Sequence, residues 1–95
     1  MKILAIETEP GKPASTIYNE LLKEEALAVF KLQQLGILRE IYFNDSHCAV
    51  IILECTNTIK AELLLDKLPL VKNGYIKFQI TELKPYTGFT RLFKG

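Results

Sequence analysis

The residues able to do chemistry gather in two places. Arg39, Glu40 and Tyr42 lie within the run "GILREIYF" (36–43), His47 follows in the next turn, and Glu54 closes the apolar run after it. Tyr86 and Arg91 stand near the end of the chain. An arginine presents a planar fork that grips a carboxylate through two hydrogen bonds. A glutamate among apolar side chains has its pKa raised by desolvation, which suits a general base near neutral pH. No motif names a reaction by itself, but these residues would suit proton transfer on a small molecule, with Glu40 as the acceptor, Arg39 or Tyr42 for orientation, and His47 as a relay at a pocket mouth. Tyr42, Glu54, Tyr86 and Arg91 are the candidate substrate contacts. Each residue also has a plainer role. Arg39 and Glu54 suit a partly buried salt bridge, Glu40 an edge-strand carboxylate reaching water, and His47 a solvated turn. Tyr86 and Arg91 suit packing against another subunit.

Composition narrows the chemistry. Twelve Lys and Arg stand against eleven Asp and Glu, with no basic run to track a phosphate backbone, so nucleic acid is not an expected partner. The opening "MKILAIET" has neither the length nor the cleavage pattern of a signal peptide. No apolar run approaches the roughly 18 to 20 residues that span a bilayer. A cytoplasmic protein away from membranes is expected. Cys48 and Cys55 are seven positions apart in one predicted strand. That is roughly 23 Å at about 3.3 Å per residue, beyond disulfide reach, so both should be free thiols. With one His, and cysteines on opposite faces of one strand, no metal-ligand set assembles in one chain, and His47 in a turn suits a haem ligand poorly. No cofactor is expected.

Elements that position these residues follow from the hydrophobic pattern. Residues 2–7 read as a strand apolar on both faces, and "TEPGKPAS" breaks it. Ser15 or Thr16 can cap a helix that runs to about Leu35, with Ile17, Leu21, Ala28, Leu32 and Leu35 on one stripe beside Leu22, Val29 and Phe30. Gly36 ends it in a left-handed cap. Two strand-like runs, "ILREIYF" and "CAVIILEC", are joined by the turn residues Asn44, Asp45, Ser46 and His47. Asn57 or Thr58 caps a second helix, about 59–68, stopped by Pro69. A turn at Lys72, Asn73 and Gly74 leads to the last strand, "YIKFQITEL", and then to an aromatic tail over 84–95.

The order βαββαβ predicts an α+β, ferredoxin-like fold with a four-stranded antiparallel sheet, in one domain over 1–95. Its first and third strands should be central and apolar on both faces, as "ILAI" and "AVIIL" are. If Asn44 pairs with His47 in the hairpin, Phe43 pairs with Cys48, and Ile37, Arg39, Ile41, Phe43, Val50, Ile52 and Glu54 share one face. Leu38, Glu40, Tyr42, Ala49, Ile51, Leu53 and Cys55 then share the other. Two helices cover only one face, and each large aliphatic side chain left in water forgoes roughly 1.5 to 3 kcal/mol. A second copy packed sheet on sheet, or the tail folded back, must cover the open face; a homodimer or higher homo-oligomer is the simpler solution.

The chain resembles the muconolactone isomerase-like group of the dimeric α+β barrel proteins. The likeness rests on Gly36 followed by "LREIYF", on "KLPLVKNGYIKFQITEL", and on the ending "PYTGFTRLF". Arg39, His47 and the "LPL" step at 68–70 are similar to the isomerases proper, whereas Glu40 and Tyr42 stand where those carry His and Trp. The resemblance implies the dimeric barrel and a cofactor-free, isomerase-type proton shift on a small acidic or lactone-like molecule. A homodimeric ligand-binding or accessory module without catalysis is the other reading.

Overall fold

Ile3, Ala5, Ile51 and Leu53 are almost wholly buried at the middle of a four-stranded antiparallel sheet. A computed structural model describes residues 1–8 and 16–93. The strands are β1 (Lys2–Thr8), β2 (Leu38–Phe43), β3 (Ala49–Glu54) and β4 (Lys77–Leu83), in the order β2-β3-β1-β4. The helices α1 (Thr16–Gln34), α2 (Thr58–Asp66) and the one-turn α3 (Pro69–Lys72) complete the ferredoxin-like arrangement, and a 3-10 turn (Gly88–Leu92) follows β4. β1 and β3 are central and the other two strands are edges, as their apolar patterns require. The capping side chains of Ser15 and Thr16 lie outside what the structure describes. Among the described residues no helix is long and apolar enough to cross a membrane.

Both longer connections out of helices use one device. Gly36 has φ +77°; its N–H bonds to the Gln33 carbonyl and the Ile37 N–H to that of Leu32. Gly74, with φ +78°, repeats the pattern after α3 through Val71 and Leu70. These are Schellman stops, which need a residue that enters the left-handed region without steric cost. A Cβ at Gly36 would meet no neighbouring atom. Gly36→Ala should therefore destabilise the fold by about 1–2 kcal/mol through backbone strain alone; urea denaturation checks it. Asn57 caps α2, its side chain accepting the Lys60 N–H at 2.8 Å. Pro69 does more than stop that helix. It occupies the first turn of α3, where its missing N–H costs nothing.

The β2–β3 hairpin differs from the expected pairing by one residue. The Asn44 N–H bonds to the Cys48 carbonyl at 2.9 Å, so the loop holds three residues, 45–47. His47 takes the left-handed conformation, φ +59°, that such a loop demands at its last position. Phe43 consequently pairs with Ala49, Tyr42 with Val50 and Ile41 with Ile51. A one-residue change of register moves every side chain to the opposite face. Ile41 and Phe43 thus join Ala49 and Ile51 on the helix-bearing face, and Glu40 and Tyr42 join Val50 and Ile52 on the open one. At the strand's start Leu38 pairs with Leu53, leaving Arg39 as the extra residue of a β-bulge. The bulge lets Leu38 reach the core while Glu40, two positions on, points away from it.

The open face carries Leu4, Ile6, Val50 and Ile52, all half-buried, along its centre. Tyr42, Leu83, Gln79 and Thr81 surround them on the edge strands.

Candidate functional site

The helix-bearing face does not close fully against α1. Near the hairpin turn a cleft of about 420 Å³ lies between them. Tyr18, Leu22, Glu25, Val29 and Gln33 recur at steps of three or four, so one stripe of α1 faces it. Glu7 reaches it from β1, Ile41 and Phe43 from β2, Leu70 from α3, and His47 from the turn.

Its polar groups are held by named contacts. Glu7 is 8% exposed and follows Ile3 and Ala5 on the same face of β1; its Oε1 accepts the Ala49 N–H at 3.3 Å. Glu25 Oε1 accepts the Leu70 N–H at 3.0 Å, so a carboxylate from α1 serves the first turn of α3, which has no cap of its own. Tyr18 is buried and meets Tyr75 edge to face at 5.2 Å. His47 stacks on Phe43 with ring centres 4.1 Å apart, at the rim of the cleft.

Burial pushes the Glu25 pKa above the ordinary carboxylate value, and the bond from Leu70 only partly offsets it. A carboxyl whose pKa rises on folding stabilises the folded state while protonated. That contribution is complete below the unfolded value and is lost as pH rises through the folded one. Relative to Glu25→Gln, the native chain should gain stability as pH falls from neutral towards about 4.3, the ordinary Glu value. Urea denaturation across this window measures the difference; two parallel profiles would place the carboxyl effectively in water. Glu7, Tyr18 and His47 face the same space and set the background for this titration.

The other sequence-derived candidates stand elsewhere. Glu40 and Tyr42 are exposed on the open face, where the Tyr42 hydroxyl donates to Glu40 Oε1 at 2.7 Å. That bond, with the adjacent negative charge, raises the Tyr42 pKa. Arg39 Nε donates to the Gly36 carbonyl at 2.6 Å. Glu54 pairs with the Met1 ammonium at 2.7 Å instead of with Arg39. This contact holds the Glu54 pKa low against partial desolvation, with Arg39 and Lys2 adding smaller attractions. Tyr86 and Arg91 are exposed on the tail. Of the seven, only His47 lines the cleft.

Sequence reasoning missed Glu7, Tyr18 and Glu25. Their signal is a polar group on an apolar stripe: Glu7 two positions after Ala5, and Glu25 between Leu21 or Leu22 and Val29 on α1. Cys48 and Cys55 flank the two ends of β3 and are not joined by a disulfide. Burial raises the pKa of Cys55 and keeps it protonated. Among the described residues no three His, Cys, Asp or Glu side chains come together as a metal site.

Sheet order, connections and the cleft under the first helix define an α+β protein of the ferredoxin-like class with room for a small ligand. Within that class the chain has the fold of muconolactone isomerase. The solved isomerase superposes with a TM-score of 0.77 over 92% of each chain, at 16% identity. The likeness is one of chain path. No protein-family model and no curated protein matches the sequence.

Proposed function

We propose that the protein is a homodimeric, cofactor-free enzyme that shifts a proton on a small lactone-like molecule, working in the cleft between α1 and the sheet. The observation that carries this is Glu25: a carboxylate with a raised pKa, oriented by the Leu70 N–H, in a largely apolar space. Such a group is matched to taking a carbon-bound proton near neutral pH. Glu25 accepts the proton from the carbon beside the lactone carbonyl, the electron pair moves into the conjugated oxyanion, and the proton returns at the far end of the allylic system. Tyr18 and His47 line the same cleft and are the candidate donors to the developing oxyanion. The likeness to an isomerase supports this reading through the fold alone.

The homodimer is supported by the open sheet face, whose aliphatic centre and polar edges match the make-up of an interface. Two cysteines without a disulfide fit a reducing compartment such as the cytoplasm.

The test is isomerisation of the neutral β,γ-unsaturated α-angelica lactone to its α,β-conjugated isomer in deuterated water, followed by NMR. Catalysed conversion with deuterium entering the ring is expected. Binding without turnover would make the protein a ligand-binding module, and absence of both would remove the cleft from function.

A second reading keeps the chemistry on the open face. The bond from Tyr42 fixes the Glu40 carboxylate there, and a sheet packed against it would exclude water from the pair. Arg39 and Glu54 flank that face and would supply its charge.

A further inference from the structure

The fixed charges that line the cleft between α1 and the sheet are of one sign. Glu7 reaches it from β1 and Glu25 from α1, while no Lys or Arg stands among its described lining residues. α1 is not short of cations, for Lys23 and Lys31 are exposed on it. Neither belongs to the stripe of Tyr18, Leu22, Glu25, Val29 and Gln33, because steps of three or four keep one helix face and these two lysines fall between them. The helix thus turns a carboxylate toward the cleft and its lysines elsewhere. His47 is the one described lining group that can become a cation, and it stands at the rim against Phe43.

The hydrogen-bond donors reinforce this sign. A bound anion needs N–H or O–H groups aimed at it, and backbone N–H groups are a rigid source of them. Two such groups already serve the carboxylates of the cleft itself. The Ala49 N–H donates to Glu7 Oε1 at 3.3 Å, and the Leu70 N–H donates to Glu25 Oε1 at 3.0 Å. A ligand carboxylate entering here would find both donors engaged and two like charges beside it. Like charges brought together away from water repel strongly, and among the described lining residues no Lys or Arg offsets the desolvation of the newcomer. An uncharged ring meets neither penalty. The Gln33 amide and the His47 ring are candidate donors to its carbonyl, and Ile41, Phe43 and Phe78 supply apolar wall.

We propose that the cleft admits an uncharged lactone and turns away one that bears a carboxylate, a selectivity that rests on the reading of this cleft as the working site.

Two ligands of nearly equal shape test it: the saturated γ-lactone carrying a carboxymethyl group, and the same ring carrying a carboxamidomethyl group. Neither ring holds a double bond to move, so binding is read without turnover. Affinities are measured by NMR titration in mildly alkaline solution, where carboxyls are ionised. The amide should bind at least about tenfold more tightly than the acid. Glu25→Gln should shrink that ratio severalfold, chiefly by improving the affinity for the acid, since one carboxylate is gone and the new side chain can keep the bond from Leu70. Equal binding, tighter binding of the acid, or a ratio that Glu25→Gln leaves unchanged would overturn the selectivity; turnover of α-angelica lactone would still decide the proton shift on its own. Preference for the amide with no turnover of α-angelica lactone would uphold the selectivity and end the proton-shift reading. Binding of neither ligand would remove the cleft from function and end both.

Discussion

Ile52→Lys should turn the proposed homodimer into a monomer at concentrations where the native chain is expected to pair. Ile52 is opposite Leu4 on one side and Glu40 on the other, at the centre of the open face. A residue at the centre of an interface that acts as a hot spot costs about 2 kcal/mol or more when lost, and Ile52 has that position in the proposed contact. The two-fold presents the substitution twice, about 4 kcal/mol in all, which is close to a thousandfold in Kd. The helix-bearing core around Ile51 and Leu53 is untouched, so circular dichroism should be unchanged. Sedimentation equilibrium over a dilution series gives the mass. A dimeric Ile52→Lys protein would locate the contact away from this face.

Glu25→Gln should lose about 10² to 10⁴ in the rate of lactone isomerisation while binding the lactone about as well as the native chain. The amide keeps the shape of the side chain and can still accept the Leu70 N–H, so fold and cleft persist. Glu40→Gln should change the rate by less than about tenfold, since Glu40 lies on the other face of the sheet and does not line the cleft. Rates and lactone affinities for both variants, measured on protein of verified dimer content, separate the two carboxylates. A large loss from Glu40→Gln with Glu25→Gln nearly active would transfer the chemistry to the open face.

The strand order was legible because a central strand and an edge strand have different patterns: "AVIIL" is apolar throughout, whereas Phe78 and Ile80 alternate with Lys77, Gln79 and Thr81. Helix ends were legible where a specific residue is demanded, as at Gly36 and Asn57. Register was harder to see, because it depends on how many residues the turn uses. Asn44 and His47 would close a two-residue loop as readily on paper, and only the left-handed His47 makes the loop three. The clue lay in the spacing of Leu38, Ile41 and Phe43. A step of three followed by a step of two cannot keep one face of a regular strand, and a bulge at Arg39 reconciles them. The cleft was not legible, because it arises from how far α1 stands from the sheet. Glu7 and Glu25 each fall on an apolar stripe, yet nothing in their neighbours in sequence shows that the stripes enclose space. For the exposed tail, sequence shows the aromatic residues and leaves open what they touch.

The loop at 45–47 and the bulge at Arg39 together isolate residues 40–43 as a short cassette. The turn sets its register at one end, and the bulge restores the original pairing at the other, so the rest of the sheet is indifferent to which way the cassette faces. Deleting one turn residue and absorbing Arg39 into regular pairing would turn Glu40 and Tyr42 inward beneath α1 and send Ile41 and Phe43 out. Loop length is the quantity that varies most freely among related chains. In this scaffold a single-residue indel at a hairpin tip would trade the lining of the cleft for the surface of the open sheet face, giving descent a discrete route between the two with the composition of the strand unaltered.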